Sequence, residues 1–245
     1  DLFIPGALDR FLQFIREHED KKYILRSYIA VHPGGVVENF RYLPKGSTLP
    51  PGEKTIAWLF KRSVTICGFT ISRDDAQAVA TAELDGMLLY QIYLMAEICL
   101  THESIYCDFP VAKVTQTFRG DVHMFGSSEA ERSRFQPGSV SQDNSVNFTK
   151  AYFELTEFLD RRHGTRLTQR VKKDISKYSY PFLSIQRKHG IGPFLRYAGR
   201  LEREVGLGGT PFFYLYKWSL AIFGERLCDS VIVRIKKAYG YTPNF

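Results

Sequence analysis

The chain has 245 residues, 44% of them hydrophobic, and a formal net charge of +7. That length suits one large domain or a domain with a smaller appendage, and the apolar content supports a sizeable core, which excludes a disordered chain. No secretory signal is visible, and no apolar run reaches the length needed to span a bilayer.

Asp1-Leu-Phe-Ile-Pro-Gly-Ala-Leu leads into a helix: Pro5 suits a first turn, and Leu8, Phe11, Leu12 and Ile15 recur at helical spacing. The chain opens on Asp rather than Met, so upstream sequence is expected. Tyr23 to Val31, rich in aromatic and β-branched residues, reads as a strand, and Val36 to Tyr42 as its partner across the turn Pro33-Gly34-Gly35. Lys45 to Lys54 reads as a loop, and Glu53 to Arg62 as a short helix. Val64 to Arg73 is the clearest strand, buried on both faces. Asp74 and Asp75 open a short helix ending near Ala80. Met87 to Leu100 is an apolar helix, and Ser104 to Val114 a strand. Strands and helices in this order favour α/β or α+β with a central sheet.

From Thr115 to Phe148 the chain is rich in Gly, Ser, Asn and Gln and reads as one long loop, a functional or disordered segment. From Thr149 it reads as helical. Tyr152, Phe153, Leu155, Phe158 and Leu159 make one apolar face. Thr168 to Tyr178 is a basic helix, Phe194 to Val205 a further one, Pro211 to Phe223 the most apolar stretch, and Val231 to Tyr239 a basic close. Residues 149–245 hold 18 Lys and Arg against 8 Asp and Glu, whereas residues 1–148 hold 15 against 18. The basic part suits nucleic acid, anionic lipid or a phosphate-bearing substrate. Its cations are dispersed over several helices and form no recognised nucleic-acid-binding motif, which speaks against nucleic acid. The 13 residues 211–223 are too short to span a bilayer. With Trp218, its other aromatics and Lys217 they read either as an interfacial helix on a membrane or as a buried one. Cys67, Cys99, Cys107 and Cys228 form no CxxC pair and read as free thiols of a reducing compartment.

Glu83 and Asp85, in Thr81-Ala-Glu-Leu-Asp-Gly, stand just before the apolar helix. Such carboxylates serve as helix caps or as a general base at the mouth of a cleft. Three places in order carry a resemblance. Asp1-Leu-Phe-Ile-Pro-Gly-Ala-Leu is similar to the segment after the metal-binding Asp-x-Asp of inverting family-2 glycosyltransferases of the GT-A type, in particular bacterial surface-polysaccharide enzymes. Val64 to Arg73 resembles their strand before the acceptor site, and Glu83-Leu-Asp85-Gly occupies the place of their acidic catalytic pair. The family's pair is Glu-Asp in direct succession. Here Leu84 intervenes, which leaves the base between Asp85, the first choice, and Glu83.

The resemblance covers roughly residues 1–115. It implies a GT-A-like mixed sheet flanked by helices, lacking the family's opening nucleotide-binding part, with a flexible active-site loop over 116–148. The basic, helical part over 149–245 is read beside it as a membrane-associating subdomain or, in the alternative, as the working part of a non-catalytic membrane-associated or nucleic-acid-binding protein. The resemblance further implies transfer of a sugar from a nucleotide diphosphate sugar to a saccharide or lipid-linked acceptor, on the cytoplasmic face of the cell membrane. A divalent cation, Mg²⁺ or Mn²⁺, would be held by Asp1 and His123, and substrate by Arg73, Arg119 and Gly68. The plainer readings are an N-cap for Asp1 and solvated loop residues for Arg119, Asp121 and His123.

Overall fold

The structure, a computed structural model, describes residues 2–31, 35, 37–115, 129, 133–135 and 141–239. It is α/β: an open mixed sheet of six strands with its helices, then a helical C-terminal part. The chain divides into two compact units, one holding the sheet and one holding the helices from Gln142 onward.

The sheet unit is built on two long parallel strands, β2 (Tyr23–Val31) and β6 (Ser104–Thr115). Short antiparallel strands flank them. β5 (Phe69–Ile71) and β3 (Val37–Phe40) share the outer side of β2, while β4 (Ser47–Leu49) and β1 (Leu2–Phe3) pair with β6. The β2–β6 register jumps from Arg26↔Cys107 to Ser27↔Pro110, so Asp108 and Phe109 bulge out. Pro110 has no N–H to give a ladder, and a bulge is where a strand tolerates that loss. The displaced Phe109 ring lies 5.9 Å from Phe14 and 3.8 Å from the Arg10 guanidinium, on helix α1 (Ala7–Glu17).

Side chains on a strand alternate between faces. Ile24 packs with Phe11, Ile105, Cys107 and Val111 under α1. Tyr23 and Leu25 therefore point to the other face. There the Tyr23 hydroxyl meets Ser63 Oγ at 2.6 Å, just past helix α2 (Glu53–Phe60). Helix α4 (Tyr90–Thr101) packs on α2 and reaches β2 with Ile92, Tyr93, Met95, Ile98 and Cys99 buried. Each such side chain contributes roughly 1.5–3 kcal/mol on leaving water.

The second unit begins with α5 (Gln142–His163), capped by the Ser141 hydroxyl accepting the Asn144 N–H. Gly164, at φ 66°, ends it in the left-handed conformation that glycine adopts without a Cβ clash. α6 (Leu167–Lys177) buries Leu167, Val171 and Ile175 at i, i+4 and i+8. Its N-cap position, Arg166, makes no side-chain cap. Asp160 of α5 substitutes, accepting the Leu167 and Thr168 N–H groups at 2.6 and 3.0 Å and the Thr165 hydroxyl at 2.7 Å. α7 (Tyr180–Arg187) carries Pro181 in its first turn, and α8 (Ile191–Arg200) follows. α9 (Pro211–Tyr239) is broken at Gly224, whose φ 75° and ψ 172° are not helical.

Several local expectations are corrected. Val64–Arg73 is not one strand: residues 66–68 form a 3₁₀ turn and only Phe69–Ile71 joins the sheet. Ser47–Leu49, expected in a loop, is β4. The helix expected from Thr149 begins at Gln142, and the one expected from Met87 begins at Tyr90.

Candidate active site

Helix α3 (Arg73–Val79), capped by Ser72, leads into the acidic segment. A 3₁₀ turn over Ala82–Leu84 follows, in which the Thr81 hydroxyl accepts the Glu83 N–H at 3.3 Å and donates to Glu83 Oε1 at 3.4 Å. Leu84 is buried, while Glu83 and Asp85 are exposed. Asp85 does not cap α4, as one reading of the sequence had it. The helix starts five residues later, and its N-cap is Leu89, a non-glycine residue at φ 82°. A left-handed leucine costs roughly 1–2 kcal/mol, and burial of its side chain offsets that cost.

The segment is tethered to α4 by two tyrosines. The Tyr90 hydroxyl accepts the Thr81 N–H at 2.9 Å and donates to the Thr81 carbonyl at 3.1 Å, and the Tyr93 hydroxyl donates to the Val79 carbonyl at 2.7 Å. Glu83 already engages Thr81. The Asp85 carboxylate makes no hydrogen bond among the described residues and keeps its full accepting capacity.

The same turn of α4 organises a second stretch. Gln91 Nε2 donates to the Val64 carbonyl at 3.2 Å. Arg26, buried in β2, donates to the Cys67 and Phe69 carbonyls at 2.9 and 2.7 Å, which turns their oxygens inward and fixes the 3₁₀ turn. Burial lowers the Arg26 pKa, yet a guanidinium stays charged in a protein. Gly68 is buried inside this turn. A Cβ there would stand 3.3 Å from Tyr28 Cε1, and Tyr28 is held in turn by stacking on Phe40 with centroids 4.7 Å apart. Burial pushes the Tyr28 hydroxyl up to about 12.

Glu83 and Asp85 thus lie on one short turn tied to α4, and Gly68 on a second stretch tied to the same helix. Arg73 stands apart in the first turn of α3, exposed and 3.4 Å from Asp74, about 10 Å along the helix axis from its end. Asp1, Arg119, Asp121 and His123 lie outside the described residues. Among the described residues no group of three His, Cys, Asp or Glu side chains is placed to hold a metal ion. The reading of the sequence did not find Tyr90, Gln91, Tyr93 or Arg26. The Tyr90-x-x-Tyr93 spacing, which puts two hydroxyls on one helix face, was the available signal.

The thiols take no part in this arrangement. Cys99, Cys107 and Cys228 are buried and Cys67 is partly so. Burial raises Cys99 to about 12 and Cys107 to about 11, which keeps them protonated and unreactive.

No family model, no curated protein and no solved structure matches the chain.

Proposed function

We propose that the chain carries the acceptor-side part of an inverting, GT-A-type glycosyltransferase, with Asp85 as the general base. The observation behind the proposal is the Asp85 carboxylate itself. It is exposed, has no internal hydrogen-bond partner among the described residues, and sits on a turn pinned by Tyr90. A general base must reach a substrate hydroxyl, and a carboxylate spent on capping or on an ion pair is poorly suited to that. Glu83, engaged by Thr81, is the second choice. The open mixed sheet flanked by helices is compatible with the reading.

In this reaction the acceptor hydroxyl gives its proton to Asp85 as its oxygen bonds to the anomeric carbon of a nucleotide diphosphate sugar. The bond from that carbon to the diphosphate oxygen breaks, the nucleoside diphosphate leaves with the electron pair, and the configuration inverts. The acceptor is a saccharide or lipid-linked saccharide. A bound divalent cation would neutralise charge on the leaving diphosphate. The expected ligands, Asp1 and His123, are outside the described residues.

The test is a screen of nucleotide sugars with Mg²⁺ or Mn²⁺ and a lipid-linked acceptor extract, read as nucleoside diphosphate release. Release from one donor that EDTA stops, and that Asp85→Asn lowers about 10²- to 10⁴-fold while the fold is retained, is the expected result. Full activity of Asp85→Asn removes that residue from the mechanism. No release from any donor, with acceptor present, refutes the enzyme reading.

A further inference from the structure

The stretch of α9 from Pro211 to Phe223 is regular helix and ends at the non-helical Gly224. Arg187 of α7 closes that end, its Nε donating to the Leu220 carbonyl at 2.8 Å. At about 100° per residue this stretch has two opposite apolar faces. Phe213 and Leu220 lie on the inner face and are fully buried. Pro211, Tyr214, Leu215, Trp218 and Ile222 recur at three- and four-residue steps on the outer face, and all are exposed. Leu215, Trp218 and Ile222 keep 57%, 52% and 71% of their surface in water. A helix needs one apolar stripe to join its own fold. A second stripe on the opposite side is contiguous exposed apolar surface, which marks an interaction site.

Spacing, charge and size favour a second copy of this chain as the occupant. Pro211, Leu215, Trp218 and Ile222 alternate steps of four and three, the seam of two helices packed side by side. Such a seam fits its own copy about a two-fold axis, because each residue meets a residue of the same stripe. Between Pro211 and Phe223 no charged side chain is exposed. Lys217 is half-buried and drawn to Glu202 at 3.3 Å, and the Tyr214 hydroxyl donates to the same carboxylate at 2.7 Å. The stripe thus carries no exposed charge to repel a like copy. It also lacks the exposed cations with which an interfacial helix meets anionic headgroups. About half of each large side chain is in water, on the order of 100 Å² apiece. The stripe then offers about 500 Å² per copy and about 1,000 Å² in all, the lower limit for a specific interface.

We propose that the chain forms a two-fold dimer through the outer stripe of Pro211 to Ile222, with Trp218 near the centre of the seam. An interface of this size gives a dissociation constant on the order of micromolar. Dimerisation is measured without sugar transfer and stands apart from the catalytic reading.

The experiment is sedimentation velocity of the full chain from about 1 to about 100 μM, a range that brackets such a constant. A concentration-dependent shift from monomer to dimer is expected, and raising salt should not reverse it, because the seam is apolar. Trp218→Asp with Ile222→Asp puts unpaired charges into the seam and should weaken association at least about 100-fold. Val37→Asp introduces the same charge at an exposed apolar site of the sheet unit and should leave the dimer intact. All substituted side chains are exposed, and far-ultraviolet circular dichroism confirms that each variant folds. A chain that stays monomeric throughout the range overturns the proposal, as does a dimer that the Trp218 and Ile222 variant leaves intact. A monomer that binds phosphatidylcholine–phosphatidylglycerol vesicles through these two residues assigns the stripe to lipid and overturns it as well.

Discussion

Tyr90→Phe deletes one oxygen atom, and that atom is the tether of the acidic turn. In the native protein it closes two hydrogen bonds with one peptide group, accepting the Thr81 N–H at 2.9 Å and donating to the Thr81 carbonyl at 3.1 Å. A neutral hydrogen bond is worth about 0.5–1.5 kcal/mol net, and a buried polar group left without a partner costs about 1–3 kcal/mol. Thr81 is only half-buried, so water replaces part of the loss. The balance is about 1–2 kcal/mol, felt first where the turn opens rather than in the core. Native-state hydrogen exchange reads this directly: amides from Thr81 to Asp85 should exchange about 5- to 30-fold faster. Amides of α4 from Ile92 to Cys99, packed through side chains that do not touch that oxygen, should be unchanged. Native exchange rates at Thr81 to Asp85 in the variant would refute the tether. Uniform acceleration throughout α4 would mean that the hydroxyl supports the helix rather than the turn. If Asp85 is the base, the same variant should lower kcat with little change in donor KM.

Three further outcomes follow from other parts of the molecule. Gly68→Ala places a methyl 3.3 Å from the Tyr28 ring, which is itself stacked on Phe40. Overpacking of this kind costs about 1–3 kcal/mol, measurable by urea denaturation, and Tyr28→Leu in the same background should return part of it. Asp160→Ala removes the cap of α6 and should cost about 1–2 kcal/mol. Burial of Asp160 acts to raise its pKa, but hydrogen bonds from Thr165, Thr168 and Leu167 outweigh it and hold the carboxyl below its ordinary value. Its contribution is then complete above the unfolded-state pKa, near 3.9, and is lost as pH falls through the lower folded value. Asp160→Asn should flatten that part of the acid limb in pH-dependent melting. In a thiol titration Cys67 should react first, with Cys99 and Cys107 silent until the protein unfolds.

The sequence was most readable where one physical pattern dominated. Tyr23–Val31 and Ser104–Thr115 are β-rich and form the two central strands, and the apolar spacing along α1 and the apolar face Tyr152 to Leu159 of α5 marked those helices. It was least readable where the partner lies far along the chain. The 3₁₀ turn at 66–68 interrupts an apparent strand because Arg26, some forty residues upstream, draws in the Cys67 and Phe69 carbonyls. Ser47–Leu49 is a strand only because β6 offers it an edge. The start of α5 hid in a polar stretch because caps and first turns are themselves polar, as Ser141 and Asn144 show. At the candidate site Glu83 and Asp85 stood out as an acidic pair, while the Tyr90 and Tyr93 hydroxyls that hold their turn read as ordinary apolar helix.

The parallel pairing of β2 with β6 also sets an order on assembly. Tyr23 meets Ser104, so roughly 80 residues of chain must close into a loop before the central ladder exists. The β2–β3 hairpin closes within a few residues, and α1 forms locally. Until β6 arrives, β2 keeps one side unpaired, with Ile24 and Leu25 bare to water. The late step is thus the arrival of the chain's own distant segment, which predicts slow refolding, in milliseconds to seconds, and a concentration-dependent loss to aggregates while that side waits.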